Sequence, residues 1–285
     1  MLPFPRLIEY GNIRKENNTG TRIQISPTIS PSARFSFGYT SLDNYGYMYG
    51  GAVVGSDYNN EFWRFDTRTE TWEPLANGTL AMHGSGLAGY NGKIYMFGGY
   101  TGSMQNRFFI YDISSNTWSE NTTSTNKPSA RHHCRFVSTN NGKLYLWGSD
   151  GGSQLFSYDI ASNAWTTLTS SSITNSLAGD MTTDGNYLYC QGSSGQKFLI
   201  STGTWSSMAS MQGRMTYNEY NDAIYCVNAE RLYKYSISTN TWSQVGFNTS
   251  VGISRGALYT SLDGVKVYSM YGYSTSPINS QYRFQ

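Results

Sequence analysis

A short segment that recurs along the chain limits its fold more than any other feature. It reads FDTRTETW ending at Trp72, YDISSNTW at Trp118, YDIASNAW at Trp165 and YSISTNTW at Trp242, with a shortened ISTGTW at Trp205. These tryptophans are 46, 47, 40 and 37 residues apart. A second element, an apolar run that closes on glycine or a small polar residue, occurs six times: GYMYGG at 46–51, GKIYMFGG at 92–99, GKLYLWGS at 142–149, NYLYCQG at 186–192, AIYCVN at 223–228 and VKVYSMYG at 265–272. A period of this length is that of a stacked or radial repeat, in which no unit buries its apolar face alone.

Each repeat reads as four short strands. The first begins near a basic residue or histidine, at Arg34, His83, Arg131, Arg214 and Arg255. Pairs such as Asn91-Gly92, Asn141-Gly142, Asp184-Gly185 and Asp263-Gly264 tolerate positive φ and turn the chain into the second strand. Glycines then let backbones approach near an axis, the third strand ends at the Tyr-Asp pair, and the fourth starts at the tryptophan. Four antiparallel strands repeated radially make a β-propeller blade, so the expected fold is all-β, a six-bladed propeller. Composition agrees: aromatics are 15% of the chain and charged residues 13%, too aromatic for a disordered chain. The scarcity of Leu, Lys, Glu and Ala argues against a helical bundle.

Paired glycines after an apolar strand, then a tyrosine, a polar turn and a tryptophan resemble the kelch repeat, and the resemblance covers residues 33–285. Gln191-Gly192 and Val227-Asn228 depart from it in blades four and five. The chain ends at Tyr282-Arg283-Phe284-Gln285, which aligns with Trp63-Arg64-Phe65-Asp66, so the last blade lacks a fourth strand. Counting back 11 residues from Arg34, the spacing from Trp72 to His83, reaches Ile23. The segment 21–26 is therefore expected to supply the outer strand of blade six, with Ile23 in the tryptophan position, leaving a propeller of 21–285 and an N-terminal arm of 1–20. Such closure ties the two ends of the chain into one sheet.

The meander places the loops between second and third strands on one face. They are expected to be long in blades one, two and six, which become neighbours when the ring closes. That rim carries Tyr58, Asn59, Asn60, Tyr100, Thr101, Gln105, Asn106, Tyr271 and Tyr273. Tyrosine rings with side-chain amides suit recognition of a protein or a glycan. The first strands start on the same face, so Arg34, Arg131, Arg214 and Arg255 are expected around one mouth as an anion-friendly centre. The kelch resemblance implies that residues there contact acidic partners; the alternative is that each arginine braces a neighbouring loop.

The expected function is a non-catalytic recognition module. A second reading is a structural or adhesin subunit docked by its arm, where Leu2, Phe4, Leu7, Ile8 and Tyr10 form an apolar-aromatic set. The opening LPFPRLIEYGN resembles the starts of some tailed-phage virion proteins. A third reading is an enzyme, since the kelch resemblance includes sugar mutarotases and copper-dependent oxidases. Asp57, Asp150 and Asp180 are the candidate carboxylates on the ligand face, whereas Asp66, Asp112 and Asp159 repeat with the motif and read as turn acceptors. His83 and His132 fall at equivalent blade starts, but no cysteine matches the crosslinked residue of the oxidases, so neither a metal nor another cofactor is expected. Cys134, Cys190 and Cys226 form no disulfide framework or zinc motif and read as small buried hydrophobes.

A net charge of +2 gives no reason to expect nucleic acid or a polybasic membrane anchor. No apolar run approaches the roughly 18 residues of a membrane span, and the opening has no h-region of a signal peptide. The expected state is soluble, in the cytoplasm or within a virion or surface assembly.

Overall fold

The computed structural model describes residues 22–53, 58–149, 152–175, 179–228, 231–245, 256–261, 266–273 and 277–284. Among them are twenty-four strands and no helix. Strand β1 is Arg22–Gln24. Blade one comprises β2 to β5 (Gly38–Leu42, Tyr45–Tyr49, Phe62–Asp66, Thr71–Leu75) and blade two β6 to β9 (Gly86–Tyr90, Lys93–Phe97, Phe108–Asp112, Thr117–Glu120). Blade three comprises β10 to β13 (Arg135–Ser138, Lys143–Ser149, Gly152–Asp159, Ala164–Thr167) and blade four β14 to β17 (Asp180–Thr183, Tyr187–Gln191, Gly195–Leu199, Thr204–Met208). Blade five comprises β18 to β21 (Arg214–Asn218, Ala223–Asn228, Arg231–Ser236, Thr241–Gln244), and β22 to β24 are Ala257–Thr260, Val267–Tyr273 and Pro277–Phe284. Five sheets run in sequence order, and the sixth runs β22-β23-β24-β1. The N-terminal strand therefore closes the ring.

The repeat has a local physical cause. The residue two before each tryptophan has positive φ: Glu70, Asn116, Asn163, Gly203 and Asn240, at 54–70°. In three blades the asparagine there also accepts the hydroxyl of the preceding tyrosine, Tyr111 at 2.6 Å, Tyr158 at 2.7 Å and Tyr235 at 2.8 Å. Asp66, Asp112 and Asp159 accept backbone N–H groups of the same turn, as expected of turn acceptors. The tryptophan then reaches the segment arriving from the preceding blade. Trp118 Nε1 donates to Ala76 O, Trp205 to Thr169 O and Trp242 to Ala209 O, each within 2.8–2.9 Å. Trp72 does the same across the closing seam, to Gln281 Oε1 at 2.8 Å. In blade four, buried Gln191 stands at the position of Tyr49, Phe97 and Trp147, with Gly192 as the first glycine, and joins the chain leading to blade five through Ala209 O and Met211 N.

The core is six clusters, each between two adjacent blades. No blade covers its own faces, so each seam is dry only once its two blades have packed, and the ring must be complete before every seam is. At the closing seam, Glu70 of blade one accepts from Lys266, Tyr268 and Arg283 of blade six.

Closure differs from expectation by one residue. Arg22 stands opposite Phe284, as Trp72 stands opposite Phe65, and Ile23 pairs with Arg283 as Glu73 pairs with Arg64. The tryptophan position belongs to Arg22, because a count across loops of variable length does not resolve a register in which one step reverses the face. Blade six also lacks a long second-to-third loop. Strands β23 and β24 extend as a hairpin past a bulge at Tyr271, which has φ 56°, just as β11 and β12 extend in blade three. The long connections are therefore those of blades one and two, between β3 and β4 and between β7 and β8.

Candidate functional site

The two long connections are anchored where the second strands end. Gly50 and Gly98 have φ of 63° and 72°, and an added Cβ would collide with the carbonyls of Met82 and Arg131 respectively. Glycine is needed there for both reasons. The chain then bridges back to the strand starts, Ala52 to Phe35 and Tyr58, and Tyr100 to His83 and Met104.

These bridges gather rings from three blades. Tyr58 lies 4.8 Å from His83 and 6.1 Å from Tyr100, and Tyr100 lies 5.4 Å from His83 and 5.6 Å from His132. Tyr58, His83, Tyr100 and His132 are half-buried, and Met104 at the tip of the second connection is 46% exposed. Asn106 is exposed beside it, while Gln105 folds its amide onto Thr101 and Ser103. Asn59 accepts from Arg34 at 3.0 Å. Sequence reading picked out the tyrosines and amides of this rim but missed Met104, a lone apolar residue in a polar loop with no periodicity to mark it.

The arginines are arranged differently from the expected ring. Arg34 is fully buried and bonds Ser32 O, Ser32 Oγ, Gly50 O, Asn59 and Glu61. Arg131 repeats the pattern with Ser129 O, Ser129 Oγ and Gly148 O, and lies over the ring of Phe156. Both brace the end of a second strand, and both sit in the same tetrapeptide, Pro31-Ser32-Ala33-Arg34 and Pro128-Ser129-Ala130-Arg131, which is the sequence signal for the clamp. Arg255, the side chain of Tyr273, and the arm residues Leu2, Phe4, Leu7, Ile8 and Tyr10 lie outside the described residues. Tyr271 is fully buried and donates to Pro31 O at 3.0 Å.

Arg214 belongs to another level. The strand registers place Gly38, Gly86, Arg135, Asp180, Arg214 and Ala257 at one height around the axis. Asp180 is 2% exposed and accepts from Tyr39 Oη and, at 2.7 Å, from Met215 N, with Arg135 Nε 3.3 Å from its other oxygen. Arg135 and Arg214 both donate to Gly179 O at 2.8 Å. With both oxygens engaged, Asp180 is placed as a structural counter-ion; Asp57 and Asp150 lie outside the described residues.

His133, beside His132 with ring centroids 4.4 Å apart, is 6% exposed, and neither of its ring nitrogens has a hydrogen-bond partner. Burial, with His132, Arg135, His83 and Arg214 nearby, pushes it down to about 2. In an unfolded chain histidine titrates near 6.5. The stability tied to keeping this ring neutral is thus fully present above about pH 6.5 and is lost as pH falls, by up to about 1.4 kcal/mol per pH unit. Urea titrations from pH 7 to 5 should show a slope that His133→Gln flattens; parallel slopes would refute it. Among the described residues, no group of three or more His, Cys, Asp or Glu side chains is arranged to hold a metal. All three cysteines are buried, and burial raises each thiol above its ordinary range.

Against this geometry, a family model for the KLHDC2/KLHL20/DRC7 Kelch-repeats domain matches residues 12–193 and 84–285. Beta-scruin of Limulus polyphemus is 27% identical over 137 residues, 43% of this chain and 14% of the scruin. Alpha-scruin of the same animal is 27% identical over 126 residues, 41% of this chain and 13% of the scruin. The chain spans about a seventh of the length of these curated relatives. A solved structure titled "Structure of YjhT" superposes with a TM-score of 0.72 at 12% identity, over 91% of this chain and 95% of that one, a likeness of fold.

Proposed function

We propose that this chain, which belongs to the kelch-repeat family, is a recognition module that binds a protein partner through the connections of blades one and two. The observation that carries the reading is the packed patch of Tyr58, His83, Tyr100 and His132 with exposed Met104 at its edge. Half-buried aromatics beside an adaptable methionine, with amides at the margin, have the composition of a protein-binding hot spot. The rings of Tyr58 and Tyr100 meet at 84°, edge to face, the geometry in which aromatic pairs hold each other in place. Fold alone does not assign function, so the reading rests on this patch.

The test is capture of partners by crosslinking, followed by titration of the captured partner. Tyr100→Ala and Met104→Ser should each weaken binding about tenfold or more. Arg68→Ala, on the opposite turn face, should leave binding unchanged. A partner bound equally by all three would overturn the assignment. A chain lacking residues 2–18 separates a partner held by the arm, as the assembly reading requires.

A further inference from the structure

We propose that Met104 is a modification site: a peroxide oxidises it to the sulfoxide ahead of the other described methionines, and the sulfoxide weakens the long-loop patch for its partner. Where the oxidation falls is independent of the patch reading; its effect on binding rests on that reading. The chain has ten methionines, nine of them among the described residues. Seven of those nine are at most 5% exposed. Met211 is half-buried, and its sulfur accepts from Asn228 Nδ2 at 3.3 Å. Met104, at 46%, is the one exposed methionine among the described residues.

That exposure is built into the loop. Gln105 N donates to Gly99 O at 2.9 Å, and Thr101 N donates to Ser103 O at 3.1 Å. The Gln105 amide closes on Thr101 Oγ1 at 2.9 Å and on Ser103 O at 3.1 Å. Gly102, with φ 100°, forms the tip between them. The backbone on both sides of Met104 is therefore tied down. Met104 itself stands opposite Tyr100 in an antiparallel bridge. Residues paired in this way project to one face, so the thioether lies on the same side of the loop as the Tyr100 ring.

A thioether needs no ionisation to react, so access to its sulfur decides the order of oxidation. The sulfur lone pair takes one oxygen of hydrogen peroxide, and the O–O bond breaks. The proton on the transferred oxygen passes to the departing hydroxide, which leaves as water. The sulfur loses two electrons and the peroxide gains them. The cysteines do not compete, because all three are buried and burial raises each thiol above its ordinary range, whereas the thiolate is the reactive form. The product at Met104 is a polar, chiral side chain in place of a flexible apolar one. A partner that covers it must desolvate the new S=O dipole, so an apolar contact turns into a penalty. Methionine sulfoxide reductase returns the thioether, which makes the change reversible.

Peptide mass mapping of the folded full chain after graded exposure to hydrogen peroxide at pH 7 tests the site. Met104 should gain oxygen about tenfold or more faster than any of the seven buried methionines, and ahead of Met211. In concentrated urea the rates should converge, because the fold sets the order. Equal rates in the folded chain, or another described methionine reacting first, overturn the proposal. Titration of the partner recovered by crosslinking reads the consequence. Peroxide should weaken its binding to the wild-type chain about tenfold or more, and methionine sulfoxide reductase should restore it. The same treatment should leave the affinity of Met104→Leu at that variant's own untreated value. A Met104→Leu chain that loses affinity as the wild type does overturns the proposal. Failure of the patch reading looks different: Tyr100→Ala and Met104→Ser would bind as the wild type while Met104 is still oxidised first. That result would end the effect on binding and leave the oxidation site standing.

Discussion

Asp180→Ala is expected to destabilise the propeller by about 3–5 kcal/mol, the scale for removing one partner of a buried ion pair. The carboxylate has three donors on three different blades: Tyr39 on blade one, Arg135 on blade three and Met215 N on blade five. Its removal takes the carboxylate away from two almost fully buried guanidinium groups that share the Gly179 carbonyl. The loss should appear as a lower urea midpoint with an unchanged slope, since the folded state stays compact until the ring opens. Asp180→Asn keeps an acceptor for Tyr39 but not the charge, so it should recover only a minor part. A loss below about 1 kcal/mol for the alanine variant would mean that Asp180 is not the axial counter-ion.

Trp165→Ala should cost a similar amount, about 3–5 kcal/mol. Trp165 is 1% exposed and packs within 5.0–5.8 Å of Phe97, Phe108, Phe136 and Tyr158, rings from blades two and three. It differs from its four counterparts in one respect, because its buried Nε1 has no hydrogen-bond partner. Trp165→Phe therefore removes an unsatisfied donor as well as volume. It should cost less than Trp242→Phe, which breaks the 2.9 Å bond to Ala209 O and leaves that carbonyl with Gln191 as its one described donor. Urea unfolding of the two phenylalanine variants checks the order; the reverse order would show that Nε1 of Trp165 is satisfied in solution.

Some of this protein is legible residue by residue. The Tyr, Asn and Trp of a repeat lie within one turn of each other, and their hydrogen bond and positive φ are set by neighbours in the chain. The blade count, the meander and the use of an N-terminal strand in blade six follow from repeating that local unit. The candidate rim was partly legible: Tyr58 and Tyr100 stand where the long connections put them. Met104, by contrast, joins the candidate site only because the loop fold leaves it outside.

The arginines show where local reading ends. Arg34, Arg131 and Arg214 each precede an apolar strand, yet the first two bind carbonyls of their own blade and the third lies at the axis. The difference is a few residues of register, and register is set by pairing with a second strand some ten residues away. The same holds for Arg22 taking the place expected for Ile23. Short-range sterics and turn chemistry, repeated six times, determined the architecture from the sequence alone. The axial cluster of Arg135, Asp180 and Arg214 and the ring patch of Tyr58, His83, Tyr100 and His132 were decided only by the packing of blade against blade. The axial hydrogen bonds join residues 35 to 141 positions apart, and only blades set around one axis bring such residues within bonding distance.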